Sequence, residues 1–145
     1  MGNPAPPETL PPPQTPKSVL IADDHEAVRW AVRAVLEQNG YRVCGEAVDG
    51  VDALEKTEQL APDLVVLDLK MPKLNGIETA TLLRHRFPAV PIVLLTLYEV
   101  GQSIASTAGI NSVVTKPDGI KNLPLEVKKL LDPPPPVSTI VISSG

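Results

Sequence analysis

Cysteine is all but missing from this chain: Cys44 stands alone among 145 residues, so no internal disulfide can form. It lies in the apolar segment Tyr41-Arg42-Val43-Cys44, where burial as a small hydrophobe is the expected fate, and a lone thiol fits a cytoplasmic setting. Excess positive charge is missing too. With 13 Lys and Arg against 17 Asp and Glu, the formal charge is -4, which leaves no clustered basic surface of the kind that phosphate backbones require. Nucleic acid is therefore not an expected partner. No apolar run approaches the roughly 20 residues that span a bilayer, and the first 16 residues lack the apolar core of a signal peptide. Gly2 invites a myristoylation reading, but the position that should be Ser or Thr is Pro6. No membrane attachment is expected.

Proline, by contrast, is abundant at the ends. Of 17 prolines, seven lie within residues 1–16 and four form Pro133 to Pro136. Residues 1–16 and 133–145 are expected to be disordered tails, and the 13 residues after Asp132 cannot hold an output domain. The middle, about the size of one ordinary domain, alternates short apolar runs with helical patterns. Strands are expected at 18–23, 42–47, 64–68, 91–96 and 112–115. Val28, Ala31, Val32, Val35 and Leu36 mark one face of a first helix that Gly40 ends. A second helix runs from about Val51 to Leu60, stopped before Pro62. A third starts near Gly76, turns Ile77, Ala80 and Leu83 or Leu82 inward, and stops at Phe87-Pro88. A fourth covers roughly Val100 to Ala108. The fifth starts near Leu123, because Pro124 suits only a first turn, and ends at Leu131.

Five strands alternating with five helices imply an α/β fold with a parallel sheet covered on both faces, in which ligands sit at the carboxyl ends of the strands. Asp23 and Asp24 lie near the end of the first strand, Asp68 closes Leu64-Val65-Val66-Leu67, Thr96 follows Ile92 to Leu95, and Lys116 follows Val113-Val114. Parallel strands make these side chains converge. Clustered carboxylates repel, by roughly 4 kcal/mol at 4 Å and an effective dielectric of 20, unless a cation intervenes.

These residues carry a resemblance over about positions 17–132. The segments Val19-Leu20-Ile21-Ala22-Asp23-Asp24-His25, Gly45-Glu46-Ala47, Asp49-Gly50, Pro62-Asp63 through Asp68, Met71-Pro72, Asn75-Gly76, Leu95-Thr96, Ala108-Gly109 and Lys116-Pro117, in this order, resemble the receiver domain of two-component response regulators. Ala22-Asp23-Asp24-His25 and Asn75-Gly76-Ile77-Glu78 lean toward the branch that usually adds a C-terminal helix-turn-helix domain. The resemblance implies the flavodoxin-like strand order 2-1-3-4-5. It implies that Asp68 accepts a phosphoryl group from a histidine kinase or a histidine phosphotransfer protein, with Thr96 and Lys116 meeting phosphoryl oxygens. It also implies Mg2+, held by Asp24 and Asp68 directly, by Asp23 through water and by the backbone carbonyl of Lys70. The Lys116-Pro117 bond is expected to be cis. Such a protein signals through contacts with a downstream protein, as a monomer or weak dimer, rather than by enzymatic turnover.

Blander readings stand beside these. Asp24 could cap the first helix, alone or while serving a site. His25 reads as an exposed first-turn residue, and His85 with Arg84 and Arg86 as a solvated helix end matched to the dipole. Trp30 sits away from the apolar stripe, with Arg33 and Glu37. Departures from the family pattern bear on signalling. Leu97 stands where a small residue usually leaves the pocket open, and Val113 where Tyr or Phe usually moves inward on phosphorylation. Lys73 replaces a common glycine, and Ile110 and Ser112 replace small residues. Lys70 could block or steer attacking water, or point to solvent. A receiver-like interaction module with altered or lost switching is the alternative to a stand-alone phosphoacceptor. A phosphohydrolase of the haloacid-dehalogenase kind is disfavoured, because Lys70 occupies the place of that class's second Asp.

Overall fold

The computed structural model describes residues 15–116 and 118–132. The expected Pro-rich tails, beyond residues 15 and 16, and the configuration of the Lys116-Pro117 bond lie outside the described residues. Five strands, β1 (Ser18–Ala22), β2 (Arg42–Ala47), β3 (Leu64–Asp68), β4 (Ile92–Thr96) and β5 (Ser112–Thr115), form one parallel sheet in the order β2-β1-β3-β4-β5. The helices between and after them are α1 (Glu26–Gln38), α2 (Gly50–Leu60), α3 (Gly76–Arg86), α4 (Gln102–Ala108) and α5 (Leu123–Leu131), the last preceded by a 3-10 turn over Asp118–Asn122.

Alternation along the strands divides the core. Val19, Ile21, Val66, Val93 and Leu95 face α1 and α5, meeting Val32, Leu36, Leu123 and Val127. Leu20, Ala22, Val65, Leu67 and Leu94 face the other way, onto Ala53, Leu54, Ala80, Leu83, Ala105 and Ala108. Strands β1, β3 and β4 are buried throughout, which is why they read as unbroken apolar runs. Near the edge, Cys44 is skipped where the β1–β2 register shifts between Val19 and Leu20. It is half-buried rather than buried, and burial still pushes its thiol upward.

Local chemistry sets the element ends. Gly40 takes a left-handed φ of +88° just past α1. Asn75 and Glu78 form a capping box that starts α3, and Leu83, not the exposed Leu82, is the residue turned inward. Pro124 falls in the first turn of α5, as the late start required. Three boundaries move. β1 stops at Ala22, β4 starts at Ile92 because Pro91 has no N–H for the ladder, and α4 starts at Gln102. Among the described residues no helix is long and apolar enough to cross a membrane.

Candidate functional site

β1 and β3 are neighbours at the point where strand order reverses, so their carboxyl ends open the crevice in which such folds place ligands. Asp68 is the last residue of β3 and Asp23 the first residue beyond β1; both are buried. The approach of α3 to this corner depends on Gly76. A Cβ there would collide with the carbonyl oxygen of Asp68, and the Gly76 N–H donates to Leu69 O at 2.7 Å. The helix start is thus laid directly over the end of the strand that carries Asp68.

Lys116, the first residue past β5, reaches across the sheet top. Its ammonium lies 3.1 Å from Asp23 Oδ2 and 3.1 Å from Asp68 Oδ1, with its side chain only 8% exposed. One cation therefore bridges two buried carboxylates. Burial pushes Asp68 above the ordinary carboxylate range, the nearby Asp23 charge adds to this, and Lys116 pulls the other way without cancelling it. Asp24 is exposed at the mouth. Ligand atoms of Asp23, Asp24, His25 and Asp68 all lie within 4.8 Å of one another. The three carboxylates of this group are hard oxygen donors, partly buried and short of positive charge, and suit Mg2+, whereas His25 adds a nitrogen that Mg2+ does not favour.

His25 corrects one sequence-based expectation and remains exposed, as the other required. It is itself the N-cap of α1, so Asp24 does not cap that helix. Its ring Nδ1, though 67% exposed with the side chain, stands 3.1 Å from Asp24 Oδ1 and 3.3 Å from Asp23 Oδ1. The Asp23 carboxylate also accepts the His25 backbone N–H at 2.9 Å.

Thr96 closes β4 and is fully buried; its hydroxyl oxygen accepts the Tyr98 N–H at 3.0 Å, which leaves its own proton available for donation. β4 runs beside β3, with Asp68 in register with Leu95. Lys70 follows Asp68 by two residues. Its ammonium lies over the Tyr98 ring, 4.7 Å from the centroid, an exposed cation–π pair worth about 0.5–1 kcal/mol. Leu97 does not crowd the Thr96 passage as its bulk suggested: it is 61% exposed and turned outward. Val113 is half-buried against the core on the α3–α4 side. Trp30 is exposed, as its place off the apolar stripe required.

Several contacts were not legible from the motifs. Arg29 and Arg33 of α1 grip the two carboxylate oxygens of Glu46, each through Nε at 2.8 Å. Lys73, at a left-handed φ of +71°, sets its ammonium 3.4 Å from Asp49, the N-cap of α2. Arg84 is not a solvated helix end; its guanidinium donates to Gly109 O and Asn111 Oδ1, both at 2.7 Å, tying α3 to the loop before β5.

Comparison with known proteins agrees with this arrangement. Residues 19–128 match the family "Response regulator receiver domain". The chain is 38% identical over 110 residues to the transcriptional regulatory protein PdtaR of Mycobacterium tuberculosis, covering 74% of this chain and 53% of that protein. It is 37% identical over 117 residues to the alkaline phosphatase synthesis transcriptional regulatory protein PhoP of Bacillus subtilis, covering 79% and 48%. The chain thus spans about half the length of these curated relatives. Among solved structures, the response regulator domain of Thermotoga maritima CheB superposes with a TM-score of 0.68 at 30% identity, covering 80% of this chain and 94% of that one. A CheY-like receiver domain protein of Methanospirillum hungatei superposes with a TM-score of 0.75 at 26% identity, covering 81% and 95%.

Proposed function

The chain belongs to the response regulator receiver domain family, and from that premise we propose that it accepts a phosphoryl group on Asp68 from a phosphohistidine donor and passes the signal on by protein contact. The observation that carries the reading is the buried bridge of Lys116 between Asp68 and Asp23 at the carboxyl end of the sheet. A carboxylate raised by burial, yet held beside a fixed cation, is a nucleophile kept in reserve. In the transfer, an Asp68 carboxylate oxygen bonds to phosphorus, the phosphorus–nitrogen bond of the donor breaks, and its electron pair stays with the leaving imidazole.

Lys116 would exchange part of its contact with Asp68 for a phosphoryl oxygen, and the Thr96 hydroxyl would donate its proton to another. Asp24 and Asp68, with Asp23 through water and the Lys70 carbonyl, are the residues that would hold Mg2+, and Asp24 is the exposed member of the set. The chemistry that Mg2+ supplies when bound is neutralisation between carboxylates and phosphoryl oxygens.

The kinase or phosphotransfer donor, the downstream partner and the cytoplasmic setting belong to the same proposal. So does the domain plan of a receiver over 17–132 flanked by tails. Titrating Mg2+ with and without beryllofluoride, while following backbone amides, tests it. Shifts should centre on Asp24, Asp68 and Thr96 and vanish in Asp24→Ala for the metal alone. Unaltered metal shifts in that variant would remove the assignment.

A further inference from the structure

Asp23 lies just past the last residue of β1, where the sheet ladder no longer holds the chain on both sides. Both of its backbone polar groups are nevertheless bonded. The Asp23 N–H donates to Ala47 O of β2 at 3.0 Å, and the Asp23 carbonyl accepts from Arg29 Nη1 at 2.8 Å. Arg29 is itself held, since its Nε donates to Glu46 Oε1 at 2.8 Å and its side chain is only 13% exposed. Glu46 is fixed from three directions: its other carboxylate oxygen takes Arg33 Nε, and its backbone carbonyl takes the Lys56 ammonium from α2. One guanidinium therefore ties the Asp23 carbonyl to the second strand of the sheet.

We infer that Arg29 is a positioning residue for the cation site, holding the Asp23–Asp24 peptide through the Asp23 carbonyl while Glu46 holds Arg29. The inference rests on the reading that this acid cluster binds Mg2+. Arg29 touches neither carboxylate of the pair, and its contacts are with the backbone of Asp23 and with Glu46. The forked geometry matters, because arginine can donate to a carbonyl and a carboxylate at once from one plane, and a lysine has no equivalent fork. Without Arg29 the Asp23 carbonyl loses its side-chain donor, and the peptide linking Asp23 to Asp24, still flanked by the Asp23 N–H bond to Ala47 and the His25 N–H bond to the Asp23 carboxylate, is held less firmly beside Asp68. Partners that orient metal ligands from behind typically govern affinity by about 10–100-fold.

The test is Mg2+ affinity by amide titration in the parent chain and in Arg29→Met, Arg29→Lys, Glu46→Gln and Arg33→Met. Arg29→Met should raise the Mg2+ Kd by about tenfold or more, with Arg29→Lys and Glu46→Gln in between. Arg33→Met, which removes a contact to Glu46 but none to Asp23, should stay within about twofold. Should Arg29→Met fold poorly, Arg29→Lys and Glu46→Gln carry the comparison. Equal Mg2+ affinity in the parent, Arg29→Lys and Glu46→Gln, even with lowered thermal stability, would overturn the inference by reducing Arg29 to a structural tie. Failure of the parent itself to bind Mg2+ would instead overturn the reading on which it rests.

Discussion

Replacing Lys116 with methionine keeps most of its length and an apolar stem and removes one charge, and the expected loss can be worked from the geometry. Lys116 lies 3.1 Å from each of two buried carboxylates, and each such pair is worth about 5 kcal/mol at an effective dielectric of 20. Desolvation of the ammonium offsets much of this, so the net cost follows from leaving buried carboxylates without their cation, about 3–5 kcal/mol. At roughly 4 °C per kcal/mol for a domain of this size, the Tm of Lys116→Met should fall by roughly 12–20 °C in EDTA. Mg2+ would supply the missing positive charge. At a hundred times its Kd the ion stabilises the folded state by about 2.7 kcal/mol, and it should bind the variant more tightly than the parent, because the lysine no longer competes for the same oxygens. Calorimetry or circular-dichroism melts in EDTA and in saturating Mg2+ read both effects. A variant as stable as the parent in EDTA, or a stability gap that Mg2+ fails to narrow, would refute the reasoning.

Asp68→Asn should raise the Tm in EDTA. Asp68 is held above its unfolded value by burial and by Asp23, so its ionisation destabilises the folded state above the raised value. The advantage of the asparagine should shrink as pH falls through that value toward the unfolded carboxylate pKa, near about 3.9, and an advantage that grows on acidification would reverse the sign argued here. Lys73→Gly relieves a left-handed backbone costing about 1–2 kcal/mol and loses an ion pair whose lysine is exposed and whose worth is about 0–1 kcal/mol. Urea melts should therefore show a gain of up to about 2 kcal/mol, and a clear loss would assign the Asp49 contact a larger role. Beryllofluoride should perturb amides near Asp68, Lys70 and Thr96 strongly and those from Val100 to Val114 weakly, because Val113 is too small to fill space vacated by Thr96. Large shifts across Val100 to Val114 that persist in Tyr98→Ala would show switching by the family's ordinary route.

The parts of the fold that the sequence exposes most plainly are those buried on both faces. Leu64 to Leu67 ends in an acid that has no reason to lie at a buried strand end except chemistry, and it sits where a parallel sheet opens its ligand crevice. The weaker pattern of α4 has a physical reason: Ile104 faces outward and only Ala105 and Ala108 are buried, so its apolar stripe is too slight to fix the start. Strand β1 was overextended because Asp23 bonds to Ala47 as a strand residue would, one position past the ladder. The outward turn of Leu97 was not legible, since bulk is a property of the residue and direction a property of the turn. The Arg29–Glu46 contact joins residues on different elements, which no periodicity reveals, whereas Lys73 could be suspected from its place in a glycine position.

The central claim concerns one oxygen on one side chain, and covalent labelling addresses it directly. The protein incubated with Mg2+ and acetyl phosphate should carry a single phosphoryl group that is lost on acid or base treatment, and in a separate sample borohydride reduction of the intact acyl phosphate should convert Asp68 alone to homoserine, read by mass spectrometry. The Asp68→Asn protein should stay unlabelled. An acid-stable label, or labelling that persists in Asp68→Asn, would contradict the account.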